Sequence, residues 1–188
     1  MPVNLQKGQK IDLTKNNPSL KRIIVGLGWD AVRGFSAHID CDASAILCKS
    51  GILVSKNDLV CYYNLKHKSK SVILSGDNLT GAGDGDDEQI SVDFSKVPEV
   101  YDKIIFVVNI YECRTRGQHF GMIKNAYIRI VDEDTHNELC RYNLSENYDS
   151  MTAMIFGEVY RKDGEWKFNA IGQPTKDASI EALSKKFK

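Results

Sequence analysis

Five carboxylate side chains crowd one glycine-rich stretch, GDNLTGAGDGDDEQ, at residues 76–89. They belong to Asp77, Asp84, Asp86, Asp87 and Glu88, and the stretch contains no basic residue. Two carboxylates about 4 Å apart repel by roughly 1 kcal/mol in water and by more where the dielectric constant is lower. Glycine lets the backbone fold back so that carboxylate and carbonyl oxygens converge on one point. The stretch therefore predicts a site for a hard cation.

Calcium suits such a flexible shell of oxygens, because it accepts about six to eight of them. The spacing is not that of an EF-hand, since Leu79 and Gly81 occupy its third and fifth ligand positions and Ala82 replaces the required glycine. A phosphate-binding loop is disfavoured, because the stretch has no lysine and its charge repels phosphate. A solvated acidic hairpin without any ligand stays open as the simpler interpretation.

A second acidic element lies in the stretch SAHIDCDASA. Asp40 and Asp42 are two positions apart, so on a strand they point to the same face. Such a pair alone is also typical of an ordinary solvated strand, but two acidic elements in one chain favour metal binding. We expect the pair and the acidic loop to form one composite metal-binding region.

The composition excludes several classes of protein. With 25 basic and 25 acidic residues the formal net charge is zero, so the totals do not point to nucleic acid. We find no apolar run of about 18 residues and no signal-peptide pattern at the start, which predicts a cytoplasmic protein. The five cysteines show no C-x-x-C spacing and lie in apolar runs, which predicts reduced and buried thiols.

The pattern of apolar residues predicts an all-β fold, an antiparallel β-sandwich with short helical elements and a C-terminal helix. About ten runs are rich in β-branched and aromatic residues, and in QISVDF the side chains of Ile90, Val92 and Phe94 share one face. Asp163-Gly164 predicts a hairpin between the last two strands. We expect one domain over residues 1–188, with the acidic loop joining two strands at one end of the sandwich.

Several stretches, taken in order, resemble the tellurium-resistance TerD family of bacterial stress proteins. They are KGQKIDLTK, VGLGWD, IDCDASA, GDNLTGAGDGDDE, RGQHFG followed by NAYIRIVD, and TAMIFGEVYR with GEWKF. The resemblance implies a β-sandwich that binds Ca²⁺ through acidic loops and contributes to resistance to tellurite and other stresses. Cys41 stands where the family more often has leucine, and His119 where asparagine is common.

The calcium motif of the family maps onto the two acidic elements. Its positions here are Asp40, Asp42, Asp77, Asn78, Asp84, Asp86, Asp87 and Glu88, with Asp30 of GLGWD as a further ligand. The expected function is a non-catalytic module that binds two Ca²⁺ ions and acts with other stress-response or tellurium-resistance proteins at the inner membrane surface. The alternative is a metal-dependent enzyme for phosphoryl or glycosyl transfer, which would need a general acid or base that the sequence does not identify.

Overall fold

Strands occupy nearly half of the residues in the computed structural model, which describes residues 2–31, 39–75, 85–144 and 146–188. The strands in these ranges are β1 (Val3–Leu5), β2 (Lys10–Asp12), β3 (Arg22–Ala31), β4 (Cys41–Cys48), β5 (Leu59–Val60), β6 (Val72–Ser75), β7 (Glu88–Asp93), β8 (Lys103–Ile110), β9 (Ile123–Asp132), β10 (Glu138–Asn143), β11 (Ala153–Lys162) and β12 (Glu165–Thr175). The helices are α1 (Cys113–Arg116), α2 (Ile180–Ser184) and short 3₁₀ turns at Lys56–Asp58, Phe94–Lys96, Phe120–Met122 and Lys185–Phe187.

The strands form two sheets of six. The first sheet has the order β1-β10-β9-β3-β7-β6, and the second has the order β2-β12-β11-β8-β4-β5. All the pairs between these strands are antiparallel except β1 with β10, which is parallel. The prediction of an antiparallel sandwich is confirmed, with this one parallel pair as an exception.

The core lies between the two sheets, and the alternation of side chains along each strand builds it. On β3, Ile23, Val25 and Leu27 are fully buried in this core, so Gly26 and Gly28 face outward. On β7, Ile90 and Val92 point inward in the same way. The expected alternation in QISVDF is therefore confirmed for the two residues that lie within the strand.

β4 is buried on both of its faces. Its inward side chains, among them Cys41 and Ala43, pack in the central core. On its outward face Ile46 packs in a second apolar cluster that includes Leu53 and, from α2, Leu183. Because the second cluster covers the outer face, all eight residues of this strand are buried.

Turn and cap residues form the local structures that their residue types favour. Asp163 and Gly164 both have positive φ, 56° and 80°, as a two-residue turn between β11 and β12 requires, so the predicted hairpin is confirmed. Ser179 caps α2 through a hydrogen bond from the Ala182 amide. β8 ends at Ile110, because the chain turns there into α1.

The N-terminal segment connects the two sheets. β1 lies at the edge of the first sheet beside β10, and β2 lies at the edge of the second sheet beside β12. Gly8, with φ of 81°, lies between them and donates a hydrogen bond of 2.7 Å to the Ala170 carbonyl. A single short segment therefore covers one edge of each sheet.

Within the described ranges, no helix has the length and apolar character needed to cross a membrane.

Candidate metal centre

The two acidic elements meet at one end of the sandwich, which we call the acidic end. β3 and β7 are antiparallel with Leu27 opposite Glu88, so the end of β3 lies beside the start of β7. β4 contacts β7 across the core, and it begins at Cys41. The acidic end is therefore formed by Asp30 near the end of β3, Asp40 and Asp42 around the start of β4, and Asp87 and Glu88 at the start of β7.

The thiol of Cys41 lies near four of the acidic side chains. Burial raises the pKa of this thiol well above its usual value, and the charges of four carboxylates raise it further. These belong to Asp42, Asp40, Asp87 and Glu88. The fold therefore brings the acidic pair and the end of the acidic loop near one buried sulfur atom, although they are far apart in sequence.

Asp42 is buried although it carries a charge. It is only 8% exposed and faces away from the central core, opposite Asn109 in the β4–β8 ladder. Asp40 precedes the strand and is partly buried, and its carbonyl accepts a hydrogen bond of 2.7 Å from the Tyr111 amide. Only Asp42 of the pair lies on a strand, so the prediction that both side chains point to the same strand face does not hold for Asp40.

Asp87 is held against β3 by two backbone contacts. Its amide donates to the Leu27 carbonyl at 2.8 Å, and its Oδ2 accepts from the Trp29 amide at 2.7 Å. Burial raises the pKa of Asp87, and the neighbouring carboxylates of Asp30 and Asp86 add to that effect against the opposing Trp29 hydrogen bond. The crowding of negative charge that the sequence predicts is therefore present at this carboxylate.

Glu88 and Asp30 lie on either side of Asp87. Glu88 is 2% exposed and shares the inward face of β7 with Ile90. Asp30 is exposed, and its Oδ2 accepts a hydrogen bond of 2.7 Å from the side-chain amide of Asn125 on β9. The set of carboxylates thus runs from the interior to the surface.

Asp86 points in another direction, over the outer face of the first sheet. Its two oxygens accept hydrogen bonds from Arg129, at 2.7 Å from Nε and 2.9 Å from Nη2. Tyr127 and Gln89 donate two further hydrogen bonds to the same carboxylate, at 2.9 and 3.0 Å. Since the side chain is fully buried and both oxygens are engaged by a bidentate ion pair, Asp86 anchors the loop to the first sheet in this structure.

The glycines of VGLGWD leave room for this anchor. A side chain at Gly26 would collide with the carboxylate of Asp86, and one at Gly28 would collide with the ring of Tyr127. Both glycines face outward on β3, so Asp86 and Tyr127 lie directly across the strand backbone. Glycine inside a strand often marks such a close approach, and this is the sequence signal that could have located the anchor.

An ion-pair network extends the anchor along the sheet. Arg129 also bonds Glu138 at 3.2 Å, and Glu138 bonds Arg141 at 2.9 Å. The guanidinium of Arg141 lies 4.2 Å from the centre of the Tyr127 ring. The sequence gives no sign of these contacts, because they depend on the register of β9 and β10, which no local pattern reveals.

The remaining predicted ligands, Asp77, Asn78 and Asp84, lie outside the described residues. Among the residues that are described, no group of three histidine, cysteine or acidic side chains has an arrangement that could hold a metal ion. The described part therefore supplies a cluster of carboxylates at one end of the fold, and it does not by itself supply a complete coordination shell.

A second buried polar cluster lies at the opposite end of the sandwich. The Nδ1 atom of His67 accepts from the Ser69 amide at 3.3 Å and contacts the Ser69 hydroxyl at 2.7 Å. Its Nε2 lies 3.4 Å from Asp58, which also accepts a bond of 2.7 Å from the Tyr101 hydroxyl. An amide can only donate, so the proton of the neutral ring is on Nε2. We assign this cluster a structural role, because it ties the turn at Ser69 to the start of β8.

Lowering the pH should weaken the fold through His67. Burial lowers the pKa of His67 from 6.5, so the unfolded chain takes up the proton first as the pH falls. The free energy of unfolding should therefore fall as the pH drops through 6.5, and the loss should level off below the folded-state pKa. Urea unfolding of the parent and of His67→Gln across this range measures the effect. Parallel pH profiles for the two proteins would contradict it.

Comparisons with known proteins agree with this architecture. The TerD domain model matches residues 1–187. The stress response protein SCP2 of Bacillus subtilis (strain 168) is 46% identical, and the match spans 100% of both chains. The tellurium resistance protein TerD of Serratia marcescens is 47% identical over 92% of this chain and 91% of its own. Both are named as resistance or stress-response proteins and not as enzymes.

A solved structure shows the same fold. It is the crystal structure of a homologue of the telluride resistance protein TerD from Streptomyces coelicolor A3(2), with a TM-score of 0.71 and 18% identity. The match covers 90% of this chain and 98% of that one. Since a family model matches nearly the whole sequence and relatives approach half identity over its length, the chain belongs to the TerD domain family.

Proposed function

We propose that this protein is a non-catalytic Ca²⁺-binding module of the bacterial stress response and of tellurite resistance. The observation that carries the proposal is the meeting of two distant acidic segments at one end of the sandwich, where β4 packs against β7. Its ligands would be two Ca²⁺ ions, and its partners other stress-response or tellurium-resistance proteins at the inner membrane surface. We propose no nucleic-acid partner, because the zero net charge of the chain does not point to one.

The chemistry of the donor set fits calcium. Asp40, Asp42, Asp87 and Glu88 offer carboxylate oxygens, which are the ligands that Ca²⁺ prefers. The soft donor among them, the thiol of Cys41, stays protonated because burial and the surrounding charges raise its pKa. Softer metals that need a thiolate are therefore disfavoured.

The proposed ligands fall into two groups. The described carboxylates at the acidic end would hold one side of the ions, and Asp77, Asn78 and Asp84 of the acidic loop would complete the shell. Bound calcium supplies positive charge and no other chemistry in this proposal. The protein's own contribution is to hold acidic groups of β4 and β7 together, so that neutralising them joins the two sheets.

Calorimetric titration with Ca²⁺ and with Mg²⁺ tests the proposal. We expect Ca²⁺ to bind and millimolar Mg²⁺ to compete weakly, because Mg²⁺ demands a tight octahedron and keeps its waters. Thermal unfolding should move upward by several degrees in Ca²⁺ compared with chelator, since a ligand at about a hundredfold excess over its Kd adds roughly 2.7 kcal/mol. Absence of Ca²⁺ binding would refute the proposal, and equal affinity for Mg²⁺ would favour the metal-dependent enzyme.

A further inference from the structure

A cavity of about 540 Å³ lies on the outer side of the second sheet, between the 3₁₀ turn at Lys56 and the C-terminal helix. Leu53, Leu59 and Tyr63 form its apolar walls. The Leu53 amide donates to the Phe187 carbonyl at 2.5 Å, so the two segments that bound the cavity are tied together. Its volume lies within the range of about 300 to 1,000 Å³ that small-molecule sites occupy.

Positive charge lines the same cavity. Lys56, Lys185 and Lys188 all contribute to the lining, and Glu181 is the only acidic residue among the described residues that line it. No described carboxylate forms an ion pair with these three lysines, whereas the neighbouring Lys186 does pair, with Asp177 at 3.4 Å. The cavity therefore has a net positive charge in a chain whose overall charge is zero.

Apolar surface continues from the cavity to the solvent. The segment that forms its outer wall carries several large exposed side chains, Ile52, Val54, Tyr62, Tyr63 and Leu65, which are 45% to 62% exposed. The rings of Tyr62 and Tyr63 pack edge to face, with centroids 4.9 Å apart. Such a concentration of exposed apolar side chains beside a cavity is typical of a binding surface.

We propose that this cavity binds an anionic amphiphile, a carboxylate or phosphate carried on an acyl chain or an aromatic ring. The apolar part lies against Leu53, Leu59 and Tyr63, and the anionic group pairs with Lys56 and Lys185 at the rim. A neutral apolar molecule would leave the ammonium groups without a partner, and a cationic one would be repelled by them. None of the residues that line the cavity is a proposed calcium ligand, so the inference does not depend on calcium.

Calorimetric titration with decanoate, in chelator and below its micelle concentration, tests the inference. We expect one decanoate to bind, and decylammonium, with the same chain and the opposite charge, not to bind. Lys56→Gln with Lys185→Gln should weaken decanoate binding by about tenfold or more, as the loss of charge-assisted hydrogen bonds implies. Lys15→Gln with Lys21→Gln is the matched control, because these exposed lysines lie outside the cavity, and it should leave binding unchanged.

Flotation with vesicles identifies the source of the amphiphile. Vesicles of phosphatidylcholine with an equal part of phosphatidylglycerol would bind the protein if the anionic group belongs to a membrane lipid, and vesicles of phosphatidylcholine alone would not. Decanoate binding without vesicle binding would identify a free amphiphile. The inference is overturned if neither decanoate nor anionic vesicles bind, if decylammonium binds as well as decanoate, or if both double variants behave alike. Thermal unfolding in chelator verifies that both double variants are folded.

Discussion

Replacing Asp42 by asparagine should weaken Ca²⁺ binding by about tenfold or more, and replacing Asp87 by asparagine should do the same. The double variant should lose clearly less binding free energy than the sum of the two losses. Both carboxylates lie at the acidic end, so in the proposed composite site the first substitution already damages a shared set of ligands. Sites that share ligands couple by about 0.5 to 3 kcal/mol, whereas sites more than roughly 10 Å apart add.

Asp87→Asn should have opposite effects on the unfolding temperature in chelator and in Ca²⁺. In chelator, Asp87→Asn should unfold at a higher temperature than the parent protein, because it removes a buried negative charge whose pKa burial has already raised. Asparagine keeps an oxygen that can accept the Trp29 amide. With Ca²⁺ present the order should invert, since the variant then loses a ligand.

Calorimetry of the four proteins and thermal scans in both conditions measure these effects. Asp134→Asn is the control, because that carboxylate pairs with Arg22 at the other end of β3 and should change neither calcium affinity nor its coupling. Strictly additive losses from Asp42→Asn and Asp87→Asn would show that the acidic pair and the loop bind separately. An unchanged affinity in Asp42→Asn would show that the loop binds its metal alone.

Replacing Arg129 by methionine should lower the free energy of unfolding by about 3 kcal/mol. The substitution leaves the fully buried carboxylate of Asp86 without its bidentate partner, and removing one side of a buried ion pair costs about 3 to 5 kcal/mol. We expect the lower end of that range, because Arg129 itself is 27% exposed and water can reach the vacated position. Adding Asp86→Asn to the Arg129→Met protein should recover part of the loss.

Arg22→Met provides the matched control for this measurement. Arg22 pairs with Asp134 on the surface, where both side chains are about half exposed, so its loss should cost much less than the loss of Arg129. Urea unfolding with a constant m-value gives both numbers. Equal losses in the two variants would contradict a buried anchor. If Asp86→Asn reduced the number of bound Ca²⁺ ions, Asp86 would be a ligand after all.

The sequence was sufficient to predict the parts of the fold that depend on local pattern. The alternation of Ile90 and Val92 marked the buried face of β7, and Asp163-Gly164 marked the hairpin, because a two-residue turn needs two residues that tolerate positive φ. The five cysteines are buried and free, as their apolar surroundings predicted. Each of these features is set by residues close together in the chain.

The candidate site was only partly predictable, because the direction of each acidic side chain depends on distant strands. Asp86 and Asp87 are adjacent, yet Arg129 holds the first over the outer face of the sheet while the Trp29 amide holds the second at the acidic end. Nothing local to GDGDDE distinguishes them. Only the spacing of Gly26 and Gly28 hinted that something lies across β3.

The N-terminal segment has a consequence for the order in which the protein can be assembled. β1 and β2 precede the other described strands in the chain, so they leave the ribosome before their partners, β10 and β12, which are the tenth and twelfth of these strands. Pairing over such a sequence separation is slow, and unpaired strand edges are sites of aggregation. During synthesis β1 and β2 therefore stay without their partner strands until β10 and β12 have emerged. Residues 3–12 thus complete one edge of each sheet late in assembly.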